Sequence, residues 1–408
     1  DATNGQTITA DNFCDFENWR NLLFFTNNAD PPLQWDGAGT SSLTTMAVPS
    51  GLTAAQFIKQ FNNHLFLGNV VVSGTRHGSR VYFSELLDET DWPATNFIEV
   101  AQNDGQEITG LKVLSDRLVV FKTRSIYNIF FTGDADIPFI LPGGGKSKSA
   151  IGCVAPYSIQ TINNGLVFLS HDGFYFYDGN NSFKISDRIT TTLLGFNTTR
   201  FNQAVSLVQK DKNRYWCALP DSGKTDNDKV LVLDFFNNAW SIYEGIDASA
   251  MTTVFVDGDE ERPYFGDYAG FYYRADTGSS DNPAGTATAI NAFYNTNWRP
   301  YQDLIDQKGI SHITLYFQND NTTLSFTYSY DFEDGDQFTQ TFSLATSTDV
   351  YGTALYDTAI YAGSGGAVTR RDLKSRGRVI RFKFANSVLN ETFQIDGMGQ
   401  LAHLETNV

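Results

Sequence analysis

The chain has 408 residues, is 41% apolar and 14% aromatic with only 18% charged residues, and carries a formal net charge of -17. That length exceeds what one hydrophobic core organises and that composition supplies a dry interior, so collagen, coiled coil and simple disorder are excluded. The excess of acids, 46 against 29 Lys and Arg, opposes adhesion to phosphate backbones and anionic lipid; it serves solubility, and it equally suits an acidic wall past which a polyanion slides.

Phe 33, Tyr 19 and Gly 34 point to strands joined by tight turns, so the expected class is all-β. Along the first two thirds one unit recurs: a polar turn, an apolar strand, a second turn, an aromatic strand and a Gly-containing turn. Its instances open at Asn18, Phe61, Leu114, Ile162, Asp211 and Glu260. Successive instances lie roughly 40 to 55 residues apart, the size of a four-stranded propeller blade. Asn163-Asn164-Gly165, Asp172-Gly173 and Asp178-Gly179 supply the positive φ that tight hairpins demand. A strand pair such as Leu118–Phe121 with Ile126–Phe131 cannot bury both faces alone. Residues 1–283 are therefore expected to form a β-propeller of about six blades, with an open two-sheet sandwich as the alternative.

Helix is scarce in this stretch, and Ile185 to Leu194, with Ser186 as N-cap, is the best short candidate. The small-polar stretch 279–285 with Pro283 reads as a linker. Residues 284–408 are then expected to form a C-terminal antiparallel β-sandwich. Its core faces would carry Ile313, Leu315 and Phe317, then Leu324, Phe326 and Tyr328, then Phe338 and Phe342, then Ile380, Phe382 and Phe384.

Few residues point to chemistry. Gly143 to Ser149, GGGKSKS, invites a phosphate-loop reading, but Ile140 stands where the first glycine is required, so a flexible crossover loop with Lys146 and Lys148 open to a partner is expected. Cys14, Cys153 and Cys217 are too scattered for a disulfide framework or zinc and read as reduced fillers. The five histidines form no metal-spaced pair, and Ser170, His171 and Asp172, being adjacent on an extended chain, point to opposite faces and make no triad. The acidic turns Asp226-Asn227-Asp228, Asp257 to Glu261 and Asp331 to Asp336 read as solvated turns rather than calcium loops, so no cofactor, no metal and no enzyme activity are expected. No apolar run approaches the roughly 18 residues that span a bilayer. A soluble protein with no membrane anchor is expected, and its non-Met start reads as processing or a fragment.

Charge is segregated. Between Asp221 and Asp281 lie thirteen acids against four bases, whereas Arg370, Arg371, Lys374, Arg376, Arg378, Arg381 and Lys383 crowd one stretch of the C-terminal domain. An acidic face and a basic patch of this kind can meet between neighbouring copies. The candidate interaction residues are accordingly Arg370, Arg371, Lys374, Arg376 and Arg378, with Lys146 and Lys148.

Taken in order, NNHLFLGN with VYFSELLDETDW, LKVLSDRLVVFKTRSIYNI, IGCVAPYSIQTINNGLVFLSHDGFYFYDG with ISDRI, and GRVIRFKFANSVLNETFQIDGMG resemble the β-propeller tail-nozzle and packaged-DNA-stabilisation proteins of short-tailed bacteriophages. The resemblance implies a structural virion protein located in the tail. It implies a ring of six copies, a hexameric head-to-tail connector or nozzle below the portal and adaptor, contacting tail fibres or tail tip and passing double-stranded DNA without specific binding. It implies a role in genome retention and DNA ejection, and it brings no catalytic residues. The alternative is a carbohydrate-binding or glycan-cleaving propeller used in host attachment, with Trp35, Trp92, Trp216, Trp240 and Trp298 available to stack on sugars.

Overall fold

The computed structural model describes residues 6–405 apart from 7, 11, 40, 41, 257–259, 283, 284, 301–303, 318–321, 334–337, 345–366, 374 and 375. It divides into two compact units, Asp1–Asp276 and Thr277–Val408.

The first unit is a β-propeller built from consecutive meander sheets. Blade one runs from Asp15–Trp19 to Thr44–Thr45 and blade two from Leu52–Phe61 to Phe97–Glu99. Blade three runs from Ile108–Leu114 to Phe139–Ile140, blade four from Gln160–Ile162 to Ser182–Lys184, and blade five from Val205–Gln209 to Ala239–Glu244. These five have four strands each, in sequence order across the sheet. Blade six has three, Ala250–Val256, Glu260–Gly266 and Tyr272–Arg274.

The repeat legible in the sequence begins one strand late in blades two to six. The innermost strands, such as LTAAQFIKQF and ITGLKVL, mix polar and apolar residues and carry no clean period, whereas the turn that follows them is chemically loud. That first hairpin turn places Arg20 and Asn21, Asn62 and Asn63, Ser115, Asn163 and Asn213 at positive φ. Asn tolerates the left-handed region better than other non-glycine residues, which explains its recurrence at this corner.

In blades two to five the second strand is buried on both faces, so it reads as an apolar run, whereas that of blade six, Glu260–Gly266, is only partly buried. In blade three, Leu118 and Val120 pack against Phe57, Phe66 and Phe139 of the blade two seam. Val119 and Phe121 point the other way, onto Leu166, Phe168 and Tyr177 of blade four. Blade four repeats the device, with Val167 and Leu169 turned towards Tyr215 and Leu231 of blade five. Each seam carries a side-chain bond as well: Thr26 Oγ1 to Gln56 O at 3.1 Å, Asn69 Nδ2 to Ile108 O at 3.1 Å, Thr109 Oγ1 to Cys153 O at 2.7 Å, Gln160 Nε2 to Ser206 O at 2.9 Å and Thr253 Oγ1 to Val208 O at 2.7 Å. Apolar burial supplies the drive and these bonds fix the register between blades. Among the described residues no buried core cluster joins blade six to blade one, and Phe255, Phe271 and Tyr272 of blade six are exposed.

The helix candidate resolves into a 3-10 turn, Asp187–Ile189, and a single α-turn, Thr190–Leu193. Ser186 does not cap it. Its hydroxyl instead accepts a 3.0 Å bond from Phe174 N and is fully buried beside the hairpin at Gly173.

In the second unit, one antiparallel sheet orders Ala292–Asn295, Ile380–Asn386, Thr323–Tyr330 and Phe338–Ser343, and the other centres on Gln307–Phe317, flanked by Ala367–Asp372, Arg376–Gly377 and Ile395–Glu405. Ile313, Leu315, Phe317, Leu324, Phe326 and Phe382 belong to one core shared by both sheets, as the alternation requires. Phe338 lies at the margin, half exposed, with its ring 5.0 Å from that of Tyr328.

Candidate functional site

The candidate interaction residues fall in different surroundings. Lys146 and Lys148 lie on the crossover from blade three to blade four, and this crossover is pinned rather than loose. Gly143, Gly144 and Gly145 all adopt positive φ, so the chain reverses within one turn. A Cβ on Gly145 would sit 3.0 Å from Asn128 O. Gly145 O then accepts from Asn128 N at 2.8 Å and Ser147 N donates to Ile126 O at 2.9 Å, so the segment extends the edge of blade three. Ser147 Oγ donates to Asn180 O at 2.6 Å and Ser149 Oγ to Ser182 Oγ at 2.8 Å, fastening the same segment to blade four. The serines face inwards and the two lysines outwards, both exposed.

The basic stretch of the second unit is less uniform than its spacing suggests. Arg370 is exposed beside Asp372, with 3.7 Å between guanidinium and carboxylate. Arg376 and Arg378 are exposed on and after a two-residue strand. Arg378 is partly anchored, its backbone N–H donating to Asp331 Oδ1 at 2.5 Å and its Nε to Ile305 O at 3.2 Å. Arg371 lies on Ala367–Asp372, and Lys374 lies outside the described residues. Arg381 sits 4.7 Å over the Trp298 ring and Lys383 5.9 Å over Phe293, which couples this patch to aromatic faces.

The acidic segment Asp221–Asp281 is largely occupied with local structure. Asp221 and Glu244 both reach Lys229, at 2.8 and 3.1 Å, and Asp276 reaches Lys212 and Arg214, at 2.6 and 3.1 Å. Asp234 and Asp267 accept backbone N–H groups of their own turns, which holds both carboxyls below the ordinary range. Glu261 is buried and accepts from Lys210 N and Asp211 N, locking blade six to blade five. Asp257 and Asp259 lie outside the described residues. None of the described acids of the segment stands on an innermost strand.

Sequence reasoning missed a cluster on the innermost strands of blades one to three. Lys59 Nζ lies 2.7 Å from Asp15 Oδ1 and 3.5 Å from Glu17 Oε2, while Asp15 Oδ2 also accepts from Ile58 N at 3.0 Å. Two carboxylates of blade one thus grip one lysine of blade two. Burial raises the Glu17 carboxyl despite the opposing pull of Lys59, and burial beside Lys59 lowers the Lys112 ammonium. Scattered single charges on mixed strands gave no sequence signal for this contact.

Among the described residues, no group of three or more His, Cys, Asp and Glu is placed to hold a metal ion, and no helix is long and apolar enough to cross a membrane. Trp216 and Trp92 are buried, and Trp35, Trp240 and Trp298 are half-buried, with Trp240 donating to Ile185 O at 3.3 Å.

Meander sheets stacked through two-sided second strands define a β-propeller protein. Residues 24–224, from the second strand of blade one into blade five, match the family described as Bacteriophage P22 Gp10, beta-propeller. Over that segment, just under half of the chain, the sequence is similar to this bacteriophage family. No curated protein matches it. Similar solved structures include the computationally designed Ika8 protein, at 13% identity and TM-score 0.35, covering 64% of this chain and 69% of that one. Hsv2 of Kluyvelomyces marxianus is 10% identical at TM-score 0.39, covering 67% and 76%. An exo-beta-1,3-galactanase from Phanerochaete chrysosporium is 9% identical at TM-score 0.31, covering 98% and 97%. Likenesses this distant carry no functional argument.

Proposed function

We propose that this phage protein is a tail nozzle or hub subunit, a ring-forming structural component below the portal and adaptor that continues the DNA channel and helps retain and release the genome. The observation that carries the reading is the family match, which runs through the seams of five blades. The physical basis is rigidity. Each seam closes on large aromatic and aliphatic side chains and is cross-tied by side-chain bonds, an arrangement that resists deformation under load. The outward lysines of the blade three crossover and the arginines after Ala367 supply cations, and the net acidity of the chain supplies their counterpart on a neighbouring copy. The same acidity disfavours tight capture of a passing duplex. Quantitative peptide mass spectrometry of purified particles tests the reading: the chain is expected at about six copies per virion, as a closed ring at one vertex requires. Its absence from particles, or turnover of glycans by the isolated protein, would overturn it.

A further inference from the structure

The ion cluster on the innermost strands of blades one and two holds its three members in an arrangement that goes beyond charge pairing. Asp15 and Glu17 stand two residues apart on one strand, so both carboxyls project from the same face. Lys59 Nζ is fixed against that face by three contacts: 2.7 Å to Asp15 Oδ1, 3.5 Å to Glu17 Oε2 and 3.2 Å to Phe16 O. The other oxygen of Asp15, Oδ2, accepts from Ile58 N at 3.0 Å, and Oδ1 accepts in addition from Phe16 N at 3.1 Å. An amine nitrogen, a carboxyl held against it and a second carboxyl within reach of the same nitrogen are the components of an amide-forming reaction.

Surroundings decide whether such a pair stays ionic. The Lys59 and Asp15 side chains keep only 13% and 15% of their exposure, so little water solvates either charge, and conversion of both to a neutral amide relieves that cost. The neighbouring groups lean the same way: burial raises the Glu17 carboxyl, and burial beside Lys59 lowers the Lys112 ammonium, so neutral forms are favoured throughout the cluster. Two other lysines with close carboxylates lack one part of the set. Lys229 meets Asp221 and Glu244 at 2.8 and 3.1 Å, but Glu244 keeps 66% of its exposure. Lys122 is fully buried, and its partners are a single carboxylate, Asp104, with Ser79 Oγ and Ala101 O.

We propose that Lys59 and Asp15 join in an intramolecular isopeptide bond that welds blade one to blade two. Lys59 Nζ attacks Asp15 Cγ, the Ile58 N–H steadies the negative charge that gathers on Oδ2, and Oδ1 departs as water. Glu17 takes a proton from the nitrogen as the C–N bond forms and passes it to the leaving oxygen. One ammonium and one carboxylate become one amide and one water, so the two opposite charges vanish together and no oxidant or co-reactant is consumed. The bond ties residues 44 apart in sequence. Its place has a mechanical sense. Among the described residues blade one shares a buried core with blade two alone, so the weld secures a blade that packing holds on one side.

Intact-mass spectrometry of the purified full chain tests this. The wild-type protein is expected to be lighter than its sequence by one water, about 18 Da, and trypsin should release the peptide ending at Arg20 covalently joined to the one containing Lys59. Lys59→Arg keeps a positive charge beside both carboxylates and should show its full sequence mass. Glu17→Gln should form the bond at least about a hundredfold more slowly, the low end of what general acid–base groups contribute, read as the fraction of the lighter species with time after a pulse of expression. A wild-type chain that stays at full mass, a loss of water that persists in Lys59→Arg, or a bond that forms as fast in Glu17→Gln overturns the proposal.

Discussion

Lys122 is the residue that best displays how the blades are joined. It ends the second strand of blade three and is fully buried, yet its ammonium donates to Ser79 Oγ and Ala101 O at 3.1 Å and to Asp104 Oδ1 at 2.8 Å. Every donor is used, so the charge is tolerated where an isolated one would not be. Lys122→Ala should destabilise the chain by about 3 kcal/mol, since it leaves Asp104 facing a hole, and urea unfolding measures the loss. Cys153 and Cys217 make the opposite case. Burial pushes each thiol from 9.0 up to about 12, so both stay neutral and inert in the fold. Iodoacetamide at neutral pH should therefore modify Cys14 alone until the protein unfolds. The sign of the pH dependence follows. Raised thiol values contribute stability that is complete below pH 9 and is lost as pH rises towards 12, and Tyr175, pushed up to about 12, acts in the same direction. The unfolding midpoint should be flat from pH 7 to 9 and fall beyond, with a shallower fall in a Cys153→Ala, Cys217→Ala double variant. A midpoint flat to pH 11 contradicts this.

At the scale of the element, the turns are where sequence and structure meet most directly. Asn163, Gly173 and Gly179 do adopt the positive φ that hairpin chemistry demands. The runs LVVF and GLVFLS were legible as strands because both of their faces are buried. The innermost strands were not legible: Thr109, Lys112 and Gln160 answer to neighbours in other blades, a non-local requirement with no period in the sequence. Ser186 misled for a related reason, its hydroxyl serving a strand backbone across the blade instead of the helix that follows it. Glycines separate the same two cases. Gly152→Ala drives a Cβ into backbone and should cost more than about 3 kcal/mol or abolish folding. Gly143→Ala meets nothing within 4 Å and should cost about 1 kcal/mol, the strain of a left-handed alanine. Similar losses in the two variants, measured by denaturant midpoint, would contradict the pinned crossover.

Across the whole propeller, stability should be graded. Blades two to five are held on both sides by aromatic seams, whereas blade six shows, among the described residues, three strands, exposed Phe255, Phe271 and Tyr272, and one buried seam, to blade five. Native-state hydrogen exchange should accordingly open blade six ahead of blades three and four. The candidate site was legible only in outline. Lys146 and Lys148 are exposed, on a crossover that is pinned where a flexible loop was expected, and the acids of Asp221–Asp281 mostly close local turns and ion pairs, which composition alone cannot reveal. The blade one to blade two grip of Asp15 and Glu17 on Lys59 was invisible for the same reason. The most direct test of the structural role is a cryo-electron-microscopy reconstruction of the intact phage tail. The account predicts this propeller as six copies in a closed ring around the DNA path beneath portal and adaptor; single copies placed off that axis, or a neck and tail fully built from other chains, would contradict it.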